Sequence, residues 1–454
     1  MGSPLALFVA AAGIALAGFG WLAMIARGPA EEVPIAGILP FLPLLAIPAL
    51  SVWAILPRLE PRRATYLGIL VVGVVLRALF LPSAPCLSDD VNRYLWDGRV
   101  QAAGHLPYGV APRSADLDGV EESWPAEEAV RDRINHPEIP TIYPPFLEEV
   151  FALVAWLGWG LRGWRWLLLV CDLGIAALII RVLQARNRDP RSVVLYLWHP
   201  LPLVETMWSA HADAVAVLLF LWGLTLLAEG RSLRAALLLG VGGAAKLLPL
   251  GLLPALWRRA GPLAVVVALL GGAWCALPYL GADPRAALAG LGAYAERWYF
   301  NDLLFRPLGA LLGIDAADRT LAETQMLRRA LAGMWLLACL WAARKGLDPF
   351  QAGLWVVGSF VLLTPTLQPW YLLWGLPLAV LSESRGWLLL TVTVWLAYLT
   401  RVAWQEHGVW VEPGGMRWLV FTAPLGFLAV DLLRVRRDRR RAARAARESA
   451  LEGE

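Results

Sequence analysis

The sequence predicts an all-α, polytopic membrane protein, and three observations predict it. Hydrophobic residues make up 58% of the 454 and charged residues only 17%, against about 25% charged in an average soluble domain. Apolar runs of about 17–25 residues, the length a spanning helix needs, recur along the whole chain. Many of the 24 tryptophans sit near the ends of those runs, where interfacial anchors belong. The four cysteines, Cys86, Cys171, Cys275 and Cys339, are widely spaced and three lie in apolar runs. That pattern speaks against a disulfide framework or a zinc site.

The elements follow in order. Segments 4–25, 34–56 and 64–81 are apolar enough to span. The first has no basic residue before it, so it reads as a spanning helix rather than a cleaved signal. Arginines then set orientation by the positive-inside rule. Arg58 to Arg63, Arg181 to Arg191, Arg231 to Arg234, Arg258-Arg259, Arg344-Lys345 and the tail from Arg434 read as cytoplasmic. Loops 82–145, 281–306 and 401–417 are then extracytoplasmic. Phe146 to Leu161 is apolar, but spanning would put Arg181 to Arg191 outside. With Glu148 and Glu149 in it, the stretch reads as an interfacial helix. Ala235 to Trp257 has Arg near both ends and reads as a tight hairpin broken near Lys246 and Pro249. Later segments are 261–280, 329–344, 350–366, 370–382, 386–400 and 417–433. The count is roughly 12–13 membrane segments in a single domain, 1–433. The basic tail 434–454 reads as an anchor on anionic headgroups. No internal repeat relates two halves.

Candidate chemistry gathers in the polar loops. Asp89 and Asp90 open the first one, just before Arg93, Tyr94, Trp96 and Asp97. Paired carboxylates at a membrane mouth suit a general base or a cation site; the alternative is a helix cap by Asp90. The proline-rich run Ile134 to Pro145, with His136 and Tyr143, is extended and rigid, suited to a polar headgroup. Lys246 is one of two lysines in the chain and sits between apolar stretches. A charge there needs an anionic partner, and no acid lies in 235–257, which points to a lipid phosphate. His211 and Asp213 stand at an outward helix junction. Asp213 is a helix cap, or the pair contacts a sugar or a cation. Tyr294, Arg297, Trp298, Asn301 and Asp302 cluster in the second outer loop, and Gln368 and Tyr371 flank a helix break. Aromatic rings with amides and acids suit sugar binding.

The ordered series Ser88-Asp89-Asp90, Arg93-Tyr94, Trp96-Asp97-Gly98, Gly104 with Pro107-Tyr108, Tyr143-Pro144-Pro145, Asp172, His199-Pro200-Leu201-Pro202, His211-Ala212-Asp213, Lys246 and Gln368-Pro369-Trp370-Tyr371 resembles the glycosyltransferase-C superfamily. It is most similar to the bacterial polyprenol-phosphate-mannose-dependent mannosyltransferases. More distantly it resembles the eukaryotic enzyme that adds the first mannose to glycosylphosphatidylinositol. The resemblance covers about residues 64–382. It implies a GT-C-like bundle and inverting transfer of a hexose, mannose foremost. The donor would be a polyprenyl-phosphate sugar and the acceptor a lipid or glycan on the extracytoplasmic face. Asp90 matches the second Asp of that relative's Asp-x-Asp motif, Ser88 replaces the first, and Asp89 takes the middle place, so either Asp can be the base. His105 and Gln368 depart from the Asn and His common in relatives.

The implied chemistry is proton removal from an acceptor hydroxyl by Asp89 or Asp90. The departing lipid phosphate is stabilised by Lys246 with Arg297, Arg328 or Arg329. Arg93, Asp97, His136, Tyr143, His211, Asp213, Asn301, Gln368 and Tyr371 are the candidates for sugar or acceptor contact. No cofactor is expected, although the acidic pair can take Mg²⁺ or Mn²⁺. The partners are then the lipid-linked donor, a glycolipid or glycan acceptor and membrane lipid, with no nucleic acid. The setting is the bacterial cytoplasmic (inner) membrane and glycolipid biosynthesis of the cell envelope. The rival readings are a transporter or flippase of lipid-linked sugars and a non-catalytic envelope scaffold.

Overall fold

The computed structural model describes residues 3–29, 32–125, 128–315, 318 and 322–433; the basic tail lies outside them. Helices dominate, and among the described residues the one β contact is a parallel bridge between Phe300 and Thr366. Among the described residues, seven helices are long and apolar enough to cross a membrane: Pro4–Ile25, Ile35–Arg58, Leu161–Ala185, Leu248–Cys275, Ala322–Lys345, Arg385–His407 and Met416–Leu433. Four shorter apolar helices join them: Asp213–Ala228, Ser232–Ala245, Pro349–Leu363 and Pro369–Ser382. The protein is therefore an all-α, multi-pass membrane protein.

Local chemistry explains the shape of individual segments. Pro4–Ile25 starts on a Ser3 side chain that accepts from the Ala6 amide, with Pro at the first position. At about 1.5 Å per residue its length matches a hydrocarbon core of about 30 Å. The second segment is fragmented into Ile35–Ile38, Phe41–Leu44, Ile47–Ile55 and Leu56–Arg58. Pro40, Pro43, Pro48 and Pro57 each remove an amide from its ladder. The break near Lys246 is present. Ser232–Ala245 ends there, Lys246 is extended (φ −149°, ψ 137°), and a 3-10 turn follows at Leu248–Leu252. Pro249 has no N–H to give the Ala245 carbonyl, so the helix stops. The break expected beside Arg258-Arg259 is present: Leu253–Cys275 is two helices that meet at a kink, where Gly261 leaves helical geometry (φ 78°, ψ −179°) and Pro262 follows. Glycine alone adopts that conformation freely, and Pro262 has no N–H to continue the ladder, so one helix ends and the next begins. Close packing rests on Gly240, where a Cβ would lie 1.9 Å from the Ala268 carbonyl oxygen.

The expected interfacial helix is Pro145–Trp156, 12 residues long. That is about 18 Å, too short to span. It packs on the helix Asp90–Ala102, where a Cβ on Gly98 would sit 2.3 Å from the Phe151 carbonyl.

Two sets of loops form. In one, Arg181 pairs with Glu229 at 2.7 Å and Arg186 with Asp348 at 2.7 Å. Arg188 pairs there with Glu383, Arg191 bonds the Leu56 and Leu59 carbonyls, and Arg258 bonds the Arg344 carbonyl. These are the loops read as cytoplasmic from charge. In the other set, Tyr279 Oη donates to Gln101 at 2.8 Å and the His136 ring meets Trp298 at 4.8 Å. Arg306 there pairs with Glu412 at 2.7 Å and Gln405 donates to the Val33 carbonyl. The grouping joins loops 82–145, 281–306 and 401–417.

Candidate active site

The helix Asp90–Ala102 delivers the first carboxylate. Neither acid caps it: Asp89 occupies the cap position without a side-chain cap bond, and Asp90 is the first helical residue. A carboxylate there is favoured by the helix dipole. Asp89 Oδ1 accepts from Asn135 Nδ2 at 2.6 Å, so the proline-rich run reaches back to the acidic pair. Asp90 points inward, with its side chain 22% exposed. Burial first, then the Asp89 charge, pushes its carboxyl up to about 7, against the pull of the Lys246 ammonium and a hydrogen bond from Asn135. A carboxyl titrating near neutrality suits a general base.

The second wall is the segment Pro202–Trp208, a wide π-type turn in which the Ser209 amide bonds the Val204 carbonyl at 2.7 Å. Such turns recur at functional sites. Ala210 follows at φ 61°, a strained left-handed conformation for a residue with a Cβ. Trp164 holds its carbonyl through Nε1 at 2.8 Å, and Arg165 holds the Trp208 carbonyl at 2.7 Å. This scaffold aims His211, fully buried, at the acidic pair: Nδ1 lies 3.7 Å from Asp90 Oδ2 and 3.4 Å from Tyr94 Oη. The imidazole stacks on Trp370, centroids 3.9 Å apart.

Asp213 starts the next helix without capping it. Its carboxylate accepts instead from Trp374 Nε1 at 2.9 Å and pairs with Lys246 Nζ at 3.4 Å. Lys246 therefore does have an acidic partner, contrary to the reading from 235–257 alone. The acid comes from another helix. The ammonium also lies 5.5 Å from the centre of the Tyr143 ring. Asp90, His211, Asp213, Lys246, Tyr143 and Trp370 thus form one cluster. Tyr294 and Tyr371, hydroxyl to hydroxyl, lie beside it, and the charges of Asp90 and Asp213 act on both. Tyr294 stacks on Trp298, which meets His136, so the two outer loops close through aromatic contacts.

Other expected site residues are placed elsewhere. Arg93 and Asp97 bond each other at 2.9 and 3.0 Å, and Arg93 holds the Ile139 carbonyl. This buried pair braces the first loop and presents no open face to a sugar. His136 is exposed beside Glu138. Asn301 is buried, bonded to Glu412 and the Leu367 carbonyl. The Gln368 carbonyl closes the turn to Tyr371. Arg328 bonds the Ala295 and Trp298 carbonyls and covers the Phe305 ring, so it pins the second outer loop rather than facing Lys246. Arg297 and Arg329 are exposed, and no contact ties either to the cluster. Sequence reasoning missed Glu205, Tyr398 and Trp374. Glu205 carried a signal, being an acid inside an apolar run.

Among the described residues no group of three or more His, Cys, Asp and Glu is arranged to hold a metal.

Comparison with known proteins gives three findings. The model of glycosyltransferase family 87 matches residues 141–365, and that of the MptB C-terminal domain matches 304–434. The chain is 25% identical over 355 residues to alpha-(1->6)-mannopyranosyltransferase A of Mycobacterium tuberculosis, covering 71% of this chain and 67% of that protein. No solved structure matches. His211, Asp213 and Lys246 fall inside the family 87 match; Asp89 and Asp90 precede it.

Proposed function

We propose, from the chain's place among the GT-C-type glycosyltransferases, that it transfers a mannosyl residue. The donor is a polyprenyl-phosphate sugar, and the acceptor is a lipid or glycan on the extracytoplasmic face of a bacterial cytoplasmic membrane. One observation supports this reading above the rest. A half-buried carboxylate and an ammonium, Asp90 and Lys246, meet in one cluster at the mouth of the helical bundle.

The step needs those two charges in different roles. Asp90 accepts the proton of the acceptor hydroxyl as that oxygen forms its bond to the anomeric carbon. The bond from the anomeric carbon to the phosphate oxygen breaks on the opposite face, so the product is inverted. The electron pair leaves on the lipid phosphate, whose growing charge Lys246 neutralises. Asp213, itself held by Trp374, fixes the lysine's position, and the Lys246 side chain remains 24% exposed. Tyr294, Tyr371 and Trp370 supply rings and hydroxyls for the sugar. Asp89, tied to Asn135, keeps the Asp90 carboxyl basic through its charge. No cofactor enters this step; transfer undiminished by EDTA is the expected outcome, and loss of activity restored by Mg²⁺ would assign the acidic pair to a cation.

The test is transfer from polyprenyl-phosphate mannose by purified protein, wild type against Asp90→Asn. Removal of the base is expected to lower turnover about 10²-fold or more. A carrier of lipid-linked sugar would show no bond exchange at all, and an active Asp90→Asn variant would move the base to Asp89.

A further inference from the structure

The wide turn Pro202–Trp208 carries an acid that the transfer step leaves unused. Glu205 is fully buried, and a carboxyl so placed needs partners. Its Oε1 accepts from Tyr398 Oη at 2.9 Å. Its Oε2 faces His211 Nε2 at 3.4 Å, and neither of these two atoms has a hydrogen-bond partner elsewhere among the described residues. On the far edge of the same imidazole, Nδ1 faces Asp90 at 3.7 Å. The ring cannot swing away, because Trp370 covers its face and the left-handed Ala210 fixes its backbone. Two acids therefore address the two nitrogens of one clamped histidine.

We propose that Glu205 is a positioning residue that acts on Asp90 through His211; the inference rests on Asp90 being the base. Burial pushes the Glu205 carboxyl up to about 8; above that pH it is a carboxylate at Nε2 and selects the tautomer with its proton on Nε2. Nδ1 then keeps a lone pair toward Asp90. When Asp90 takes the acceptor's proton, the new carboxyl O–H donates to Nδ1, so the protonated state formed during transfer is stabilised. An orienting carboxylate behind an imidazole works this way in hydrolytic triads. Here the imidazole supports an acid instead of a nucleophile. The charged and titratable groups around the pair are Asp89, Asp213, Lys246, Tyr94, Tyr143, Tyr294 and Tyr371 on the Asp90 side, and Tyr398, Asp213 and Cys86 on the Glu205 side.

The experiment compares Glu205→Gln, His211→Gln, their double variant and Asp90→Asn in the full-length protein, with kcat, KM and the pH profile of transfer. Glu205→Gln is expected to lower kcat about tenfold or more, with KM for the donor within about twofold. Its acid limb stays in place, because the wild-type Glu205 carboxyl is protonated below about 8 and no charge is lost there. The double variant matches His211→Gln alone, since the two act in series. Multiplicative losses, or an unchanged kcat in Glu205→Gln above about pH 8, would overturn the inference. Should Glu205→Gln fail to fold, Glu205→Asp carries the test. It keeps the charge and withdraws it from Nε2, so kcat falls while the limb stays; a wild-type kcat overturns the inference. Full activity in Asp90→Asn marks the failure of the underlying reading instead.

Discussion

Lys246→Met separates a structural lysine from one that handles phosphate, provided the structure's own correction is built in. Lys246 Nζ lies 3.4 Å from Asp213 Oδ2, and the Asp213 side chain is only 1% exposed. At an effective dielectric of about 20 the gross attraction over that distance is about 5 kcal/mol. Removing one partner of a buried pair costs about 3–5 kcal/mol, because the other charge is left uncompensated. Lys246→Met alone should therefore lose stability as well as activity, and its low turnover would prove little. The informative variant is Lys246→Met with Asp213→Asn, in which no buried charge is stranded and the Trp374 N–H still finds an acceptor. The melting temperature should recover toward wild type. Turnover with a polyprenyl-phosphate sugar should stay at least about 10²-fold down, the scale of losing one preorganised charge at the reacting group. Lys246→Arg should retain part of the activity, because charge persists while the geometry changes. The assay is transfer under saturating acceptor, beside a thermal melt of each variant. Near-normal turnover in the double variant would refute the phosphate role and reduce Lys246 to a partner of Asp213.

Other outcomes follow from the same geometry. With the Asp90 carboxyl raised to about 7, kcat/KM should fall about tenfold per pH unit below 7 and level off above about 8. The sign is set by the base form being the carboxylate, and a profile flat from pH 5 to 8 would contradict it. The same raised value means that the group's contribution to stability is full at acid pH and is lost as pH rises through about 7. A cysteine introduced near Asp118 should react with an impermeant reagent in intact cells, and one near Arg440 should not; the reverse pattern would invert the site's orientation. Gly98→Ala places a Cβ 2.3 Å from the Phe151 carbonyl, a clash with backbone that should cost about 1–3 kcal/mol, read as a lower melting temperature.

Much of the architecture was legible because a membrane imposes one-dimensional rules. Run length, arginine placement and proline punctuation act locally, so the first helix and the break at Lys246 could be read along the chain, whereas 34–56 was read as one segment and its fragmentation by prolines was not. The break beside Arg258-Arg259 was legible from the arginines; Gly261, at φ 78° and ψ −179°, leaves the helix just before Pro262. The acidic pair was legible because unpaired charge at a membrane mouth is rare.

What the sequence by itself determined is the class of protein, its segments and the residue types that carry charge into apolar surroundings: Asp90, His211, Asp213 and Lys246. Only the tertiary structure decided how those charges are shared. Asp213 meets Lys246 across two helices, and Glu205 meets Asp90 through His211. Arg93 meets Asp97 within one helix and leaves the site altogether. The physical reason is that the cost of burying a charge is set by its neighbours in space. For Lys246 that neighbour, Asp213, lies on another helix, and for Glu205 the remote one is Tyr398, both outside any short window of the chain.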